Sequence, residues 1–291
     1  MKLAQTRIAI TLTILVALTV IVATTSSCGV IYRIRARNQL NQAALAYREG
    51  RFQEAEQHSR EALALDPTNP TAPMFIARTI HAQYRPGVQT PENIAKAQEA
   101  IEAYQKILQA NPKSDEAYKA IAYLYGATKE DDKLRQWISA RAANESAAPE
   151  KRAEAFIVLA SKDWDCSFKI TELPTVKTTT VDPTNNKATV SYKKPKDEKD
   201  FVTAQMCVKQ GLAEAENAIK FDPNNESAWS YKTNLLLEAS KLAEMEGKAD
   251  DKKSYQTQYE TALKRTTELS AAAQKRKEQE EARQAASPPK G

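Results

Sequence analysis

One line of sequence returns three times and restricts what this chain can fold into. It reads Ala62-Leu63-Ala64-Leu65-Asp66-Pro67-Thr68-Asn69, then Ile107-Leu108-Gln109-Ala110-Asn111-Pro112-Lys113-Ser114, then Ala218-Ile219-Lys220-Phe221-Asp222-Pro223-Asn224-Asn225. Each copy ends an amphipathic run with Asp or Asn and then a proline, which cannot continue a helix. A new helical run opens after each, at Ala72, Ala117 and Ala228. Such a chain is an array of like pieces rather than one closed core. Composition agrees. Alanine, lysine and glutamate are the commonest residues, and only 7 glycines occur in 291 residues. That is poor material for a glycine-rich nucleotide loop or an all-β fold and good material for helices. The net charge of +5 is partly spent beside the N-terminal apolar stretch, at Lys2, Arg7, Arg33, Arg35 and Arg37. Elsewhere both signs are mixed, so no nucleic-acid footprint is expected.

The spacing of small and large residues resembles the tetratricopeptide repeat, a family of units of about 34 residues with two antiparallel helices each. In the first repeat Gly50 and Phe52 sit at the turn, Ala55 and Ala62 in the second helix, and Pro67 closes it. The second opens near Pro70, carries Ile76 and Ala77, and has a stretched turn from Arg85 to Pro91. There Thr90 reads as a helix cap, with Pro91 at the first helical position. Ala100, Ile107 and Pro112 complete it. The third matches at Tyr118, Ile121, Ala122 and Tyr125. Its second helix, near Glu130 to Ala142, matches less well, because Leu134 and Arg141 stand where alanines are usual. The fourth begins at Ala153 to Ala160 and is interrupted. Thr175 to Val181 and Lys187 to Tyr192 alternate β-branched residues around Asp182-Pro183-Thr184-Asn185-Asn186, a hairpin signal. Helical pattern resumes near Phe201, with Gly211, Ala218 and Pro223 in register. The fifth opens at Ser227-Ala228-Trp229 and runs to Gly247, and Tyr255, Tyr259 and Leu263 form the stripe of its partner helix. Beyond Ser270 large apolar residues stop, as expected of a polar capping helix.

The resemblance implies an all-α, right-handed superhelical solenoid of about five helix-turn-helix repeats. A small β-hairpin interrupts the fourth repeat and a long capping helix ends the array. Residues 1–35 are read as a membrane anchor or signal segment, 36–269 as the array with an insertion at about 168–199, and 270–291 as a polar helix and tail. In this family first helices line a concave face that takes up a peptide or a partner helix. Here that face would present Tyr47, Arg78, His81, Tyr123, Trp164 and Asn234, of the kinds that anchor interfaces, although tyrosines and tryptophans at helical spacing also serve packing between repeats. The lysine and asparagine clamp by which some relatives hold a C-terminal carboxylate is replaced by Leu40 and Ala44, which disfavours such a ligand.

From Ile8 to Tyr32 no residue is charged. A helix needs about 20 apolar residues to span a bilayer, so a single-pass anchor is expected, with an exported array. A lipid on Cys28, after Ser26-Ser27, is the alternative, although Thr25 stands where a lipidation signal usually has an aliphatic residue; simple cleavage is a third. Cys166 and Cys207 fall at one level of two antiparallel helices, which gives either a disulfide, worth about 3–4 kcal/mol by loop closure and requiring an oxidising compartment, or two buried thiols.

Catalytic signals are missing. The two histidines, His58 and His81, lie on different predicted helices, His58 in a polar, solvated stretch. No zinc, haem, phosphate-loop or hydrolase motif occurs, and no cofactor or metal is expected. Asp163 and Asp165 flank Trp164 and read as solvated helix-end charges; an enzyme would need them in a pocket. The sequence therefore points to a non-catalytic, membrane-attached scaffold for a protein or peptide partner in the bacterial envelope, with an outer-membrane lipoprotein of an assembly or pilus system as the alternative.

Overall fold

The structure, a computed structural model, describes residues 29–184 and 186–286. Helices α1 (residues 29–48), α2 (Phe52–Leu65), α3 (Ala72–Gln83), α4 (Pro91–Ala110), α5 (Asp115–Ala127) and α6 (Asp131–Ala143) lead to α7 (Pro149–Thr171). Strands β1 (Lys177–Val181) and β2 (Ala188–Tyr192) follow, then α8 (Glu198–Phe221), α9 (Glu226–Glu246) and α10 (Ala249–Ala286). This is an all-α array of consecutive helix pairs with one hairpin in the fourth, as the tetratricopeptide resemblance implies. Contacts divide it into an N-terminal unit ending at Leu134 and a C-terminal unit from Arg135.

The recurring line becomes one repeated geometry. Asp66, Asn111 and Asp222 cap α2, α4 and α8 with φ of −136°, −138° and −141° and ψ of 86°, 87° and 85°. Each precedes a proline, which drives the residue before it out of the helical region. The next helix is then capped from within the same line. Asn69 Oδ1 accepts the backbone N–H groups of Thr71 and Ala72, Ser114 Oγ that of Ala117, and Asn225 Oδ1 those of Ser227 and Ala228. These side chains satisfy donors that a helix start leaves without partners. Helices α1, α5 and α9 stop differently, on left-handed residues. Gly50, Lys129 and Gly247 have φ of 75°, 61° and 72°. In each case the following N–H bonds back to the carbonyl five residues before it, at 2.9 Å, which closes a Schellman motif.

Alanines let the helices approach. In the N-terminal unit Ala36, Ala62 and Ala72 from α1, α2 and α3 are fully buried together. Helix α6 forms despite its poor match. Leu134, Ile138 and Ala142 are buried, and the Leu134 side chain lies over Gly126 of the facing helix α5. In the C-terminal unit Gly211 is required by contact. A Cβ there would stand 2.7 Å from the Leu235 side chain and 2.9 Å from that of Asp163, so α8 packs closely against both α7 and α9.

Three expectations are corrected. Helix α7 runs to Thr171 and α8 starts at Glu198, so the irregular segment is shorter than 168–199. Helix α10 is continuous over 38 residues, so the fifth repeat's partner helix and the polar cap are one element. Its apolar stripe passes through Ala262 and Leu269, both buried, while Leu263 is exposed. The helix rotates by one position because 255, 259, 262, 266 and 269 alternate steps of four and three, the spacing of a seam that stays against a neighbouring helix. The expected span at residues 8–23 and Cys28 lie outside the described residues. Among those described, no helix is long and apolar enough to cross a membrane.

Candidate functional site

In the N-terminal unit, three first helices bring four of the expected residues to one cavity. Tyr47 ends α1, Arg78 and His81 stand one turn apart on α3, and Tyr123 lies on α5. All four line a cavity of about 290 Å³. Tyr47 packs edge-on against Phe75 of α3 with ring centres 6.2 Å apart, which sets α1 beside α3. The His81 and Tyr123 rings lie 5.5 Å apart, which sets α5 on the other side. Tyr47 and Tyr123 are therefore opposite walls, and they are the open ones, at 37 % and 51 % exposure.

The floor comes from residues the repeat pattern does not single out. Tyr104 belongs to the second helix of its pair, α4, and is buried beneath His81. Its hydroxyl lies 3.3 Å from His81 Nδ1, and burial raises its pKa far above the ordinary phenol. Tyr84 caps α3 and donates to the Ala127 carbonyl at 2.9 Å. Pro86, from the stretched turn, completes the rim. Asn93 fastens that turn, accepting from the Arg85 N–H at 2.8 Å and donating to the Arg85 and Val88 carbonyls at 2.8 and 2.7 Å. The insertion between Arg85 and Pro91 was visible in the sequence; its role as a wall was not.

The cavity carries little net charge. Burial lowers the His81 pKa, so its imidazole is neutral near pH 7. Arg78 is held by Glu116 of α5 through two hydrogen bonds, one of 2.6 Å from Nη2 and one from Nε. That pairing raises the guanidinium pKa and lowers the carboxyl pKa. Both partners are 45 % exposed, so the pair contributes to orientation more than to stability.

The other two expected face residues lie in the C-terminal unit. Trp164 of α7 packs on Phe168, with ring centres 5.0 Å apart, and on Tyr231 of α9 at 6.2 Å. It also covers the core of Ala160, Ala215 and Leu235, so most of its surface is spent on packing. Asn234 stands one turn beyond Tyr231 on α9 and is half-buried. Phe168 at 38 % and Leu237 at 43 % exposure extend this region.

Cys166 of α7 and Cys207 of α8 are joined as a disulfide, with Cα atoms 6.2 Å apart and a sequence separation of 41. Behind it lies a buried charge network that no motif announced. Glu238 is 1 % and Lys241 5 % exposed, both on α9. Lys241 Nζ donates to Glu238 Oε1 at 2.6 Å and Glu172 Oε1 at 2.9 Å. The second Glu238 oxygen accepts from Ser167 at 3.0 Å and Thr171 at 2.7 Å. Burial opposes the Lys241 charge, but its carboxylate partners outweigh it and raise the pKa. The ammonium also lies 5.1 Å from the Tyr192 ring, and Glu244 accepts the Tyr192 N–H at 3.0 Å. Both ends of the hairpin are thus fastened at its base, Tyr192 to α9 and Lys177 to Glu172 at the end of α7, at 2.5 Å, while Val176 is fully buried. The strands themselves pair in register from Lys177↔Tyr192 to Val181↔Ala188 and are largely exposed.

Two further expectations are corrected. Asp163 is not a solvated helix end. It sits in the middle of α7 at 3 % exposure and accepts two hydrogen bonds from Arg135, of 2.9 and 3.1 Å. Burial raises its pKa against the pull of Arg135, and Glu214 nearby is raised by burial and by the Asp163 charge. Asp165, two residues on, turns outward to Lys169 at 2.6 Å, so the two aspartates do not share a site. His58 is not simply solvated either; its Nδ1 meets Gln39 Oε1 of α1 at 2.7 Å and ties α2 to α1. Among the described residues no group of three or more His, Cys, Asp or Glu could hold a metal ion.

No family model matches the chain, and no curated protein matches it. Solved structures similar to it include MamA from Desulfovibrio magneticus RS-1, at 14% identity over 82% of this chain and 96% of that one, with a TM-score of 0.41. Pseudomonas aeruginosa PilF is similar at 14% identity over 83% and 99%, with a TM-score of 0.35. A tetratricopeptide repeat protein from Parabacteroides merdae is similar at 13% identity over 80% and 99%, with a TM-score of 0.34. The fold stands on the helix pairs described above and not on these likenesses.

Proposed function

We propose that this protein is a non-catalytic, membrane-attached scaffold of the bacterial envelope that holds a segment of a protein partner on its first-helix face. The observation that carries the reading is the convergence of Tyr47, Arg78, His81 and Tyr123 from α1, α3 and α5 on one cavity. Rigid aromatic walls give large contact area at low conformational cost, which is what interface anchors do. Attachment through the N-terminal segment is supported by the uncharged run from Ile8 to Tyr32. An array on the oxidising side of the membrane is supported by the Cys166–Cys207 pair, since disulfides persist outside the reducing cytoplasm.

Affinity capture from native membranes tests the reading. Tyr47→Ala and Tyr123→Ala should each lower partner recovery about tenfold, the effect of losing an anchor worth about 1.4 kcal/mol. Undiminished recovery from both variants would remove the cavity from the account. A second reading keeps the scaffold and places a lipid on Cys28, favoured by Ser26-Ser27 before it. Lipid mass on an N-terminal Cys28 peptide, and accumulation of precursor with globomycin, would establish it in place of the helical anchor.

A further inference from the structure

We infer that the cavity between Tyr47 and Tyr123 takes a proline-rich segment of the partner in the extended polyproline II conformation. The inference rests on the scaffold reading above and names the chemistry of what is held. Charge argues first. Arg78 is paired with Glu116 through Nε and Nη2, and His81 is half-buried against Tyr104 and Tyr123. A charged ligand would compete with one member of that pair or be repelled by it, whereas a neutral segment disturbs neither and fits best. Shape argues second. The walls are aromatic side chains carried on separate helices on either side of α3, and the rim includes Pro86 on a turn pinned by Asn93. Grooves between aromatic walls accept prolyl rings, because the rings are flat and apolar and the segment is extended before it binds. One turn of such a helix is three residues over about 9 Å. Hydrogen bonding argues third. A prolyl residue has no N–H to leave unsatisfied, and its carbonyls accept from hydroxyls such as those of the half-exposed Tyr47 and Tyr123.

The test uses the full chain in detergent micelles or nanodiscs and four blocked peptides: acetyl-PPAPPAPPA-amide, acetyl-GSAGSAGSA-amide, acetyl-GFAGFAGFA-amide and acetyl-ESAESAESA-amide. Binding is read by calorimetry and by the ring resonances of Tyr47, His81 and Tyr123. The proline peptide should bind about tenfold or more tightly than the glycine-serine peptide and shift those three rings. Tyr123→Ala should abolish the shift at His81, while Tyr123→Phe, which keeps the ring, should retain most of the affinity; an unchanged melting curve shows that both variants fold. Preference for the phenylalanine or glutamate peptide at the same rings would overturn the proline assignment and leave the scaffold reading in place. If no peptide shifts these rings while partner capture still depends on Tyr123, the proline assignment alone falls. If capture is also indifferent to Tyr123, both fall.

Discussion

The two units are built from the same repeat and stabilised by different chemistry. In the N-terminal unit buried alanines bring the helices together, and the tyrosines gather at an open cavity whose single ion pair is half-exposed. In the C-terminal unit charge is taken into the interior. Glu238, Lys241 and Asp163 are each 5 % exposed or less, a disulfide joins α7 to α8, and a hairpin stands on that base. Buried charges are tolerable only when fully paired, and they penalise any change that leaves one member alone. An irregular insertion in a repeat needs such a brace, because a two-stranded hairpin has little stability of its own. The N-terminal unit has only the short turn between Arg85 and Pro91 to hold, which Asn93 does with neutral hydrogen bonds, and its aromatic side chains stay open at the cavity.

The largest expected effect is therefore in the C-terminal unit. Lys241→Met would strand Glu238 without its cation and should cost about 3–5 kcal/mol. Hydrogen exchange should register the loss in α9 and at the base of the hairpin, with α2 and α3 unchanged. A uniform loss in both units would break the contrast. Gly211→Ala comes next. Its Cβ would meet Leu235 and Asp163 below 3 Å, and overpacking of this kind costs about 1–3 kcal/mol, readable as a lower denaturant midpoint.

The pH response should differ in sign between the two sites. His81 and Glu116 have lowered pKa values. Their contribution is present above the unfolded values, about 6.5 for histidine and 4.3 for glutamate, and is lost as pH falls through the folded ones. Asp163 and Glu214 have raised values. Their contribution is present at low pH and is lost as pH rises through the folded pKa. Amide protection in α3 should therefore fall between pH 7 and 5, and His81→Phe should flatten that slope. Asp163→Asn should leave the α3 slope alone and alter only that of α7. The smallest effect concerns helix ends. Lys129 holds a left-handed position that glycines hold at Gly50 and Gly247, so Lys129→Gly should stabilise the N-terminal unit by about 0.5–1 kcal/mol.

Most of the array was legible in the sequence because proline, asparagine and glycine act locally. Asp66-Pro67, Asn111-Pro112 and Asp222-Pro223 fix a helix stop whatever lies around them, and the hairpin announced itself by alternation. The first-helix register that the resemblance implies picked out Tyr47, Arg78, His81 and Tyr123, which the fold brings to one cavity. Tyr104 and the pairing of Arg78 with Glu116 were not legible, because Tyr104 reaches the cavity from the back helix and Glu116 meets Arg78 from a different helix, and spacing within one repeat shows neither. Asp163 looked like a surface charge because nothing near it in sequence offers a partner; Arg135 lies 28 residues away. Lys241 and Glu238 were hidden for the same reason. Position on a helix gives a residue's face, and only the fold gives what that face meets.

The central claim is that the partner sits on the N-terminal cavity and not on the braced hairpin. A photo-crosslinking residue placed singly at Tyr123 and at Val190 in the full chain, irradiated in membranes, tests it directly. A partner adduct from position 123 and none from position 190 is the expected result. An adduct from 190 alone would contradict the account and move the docking surface to the hairpin.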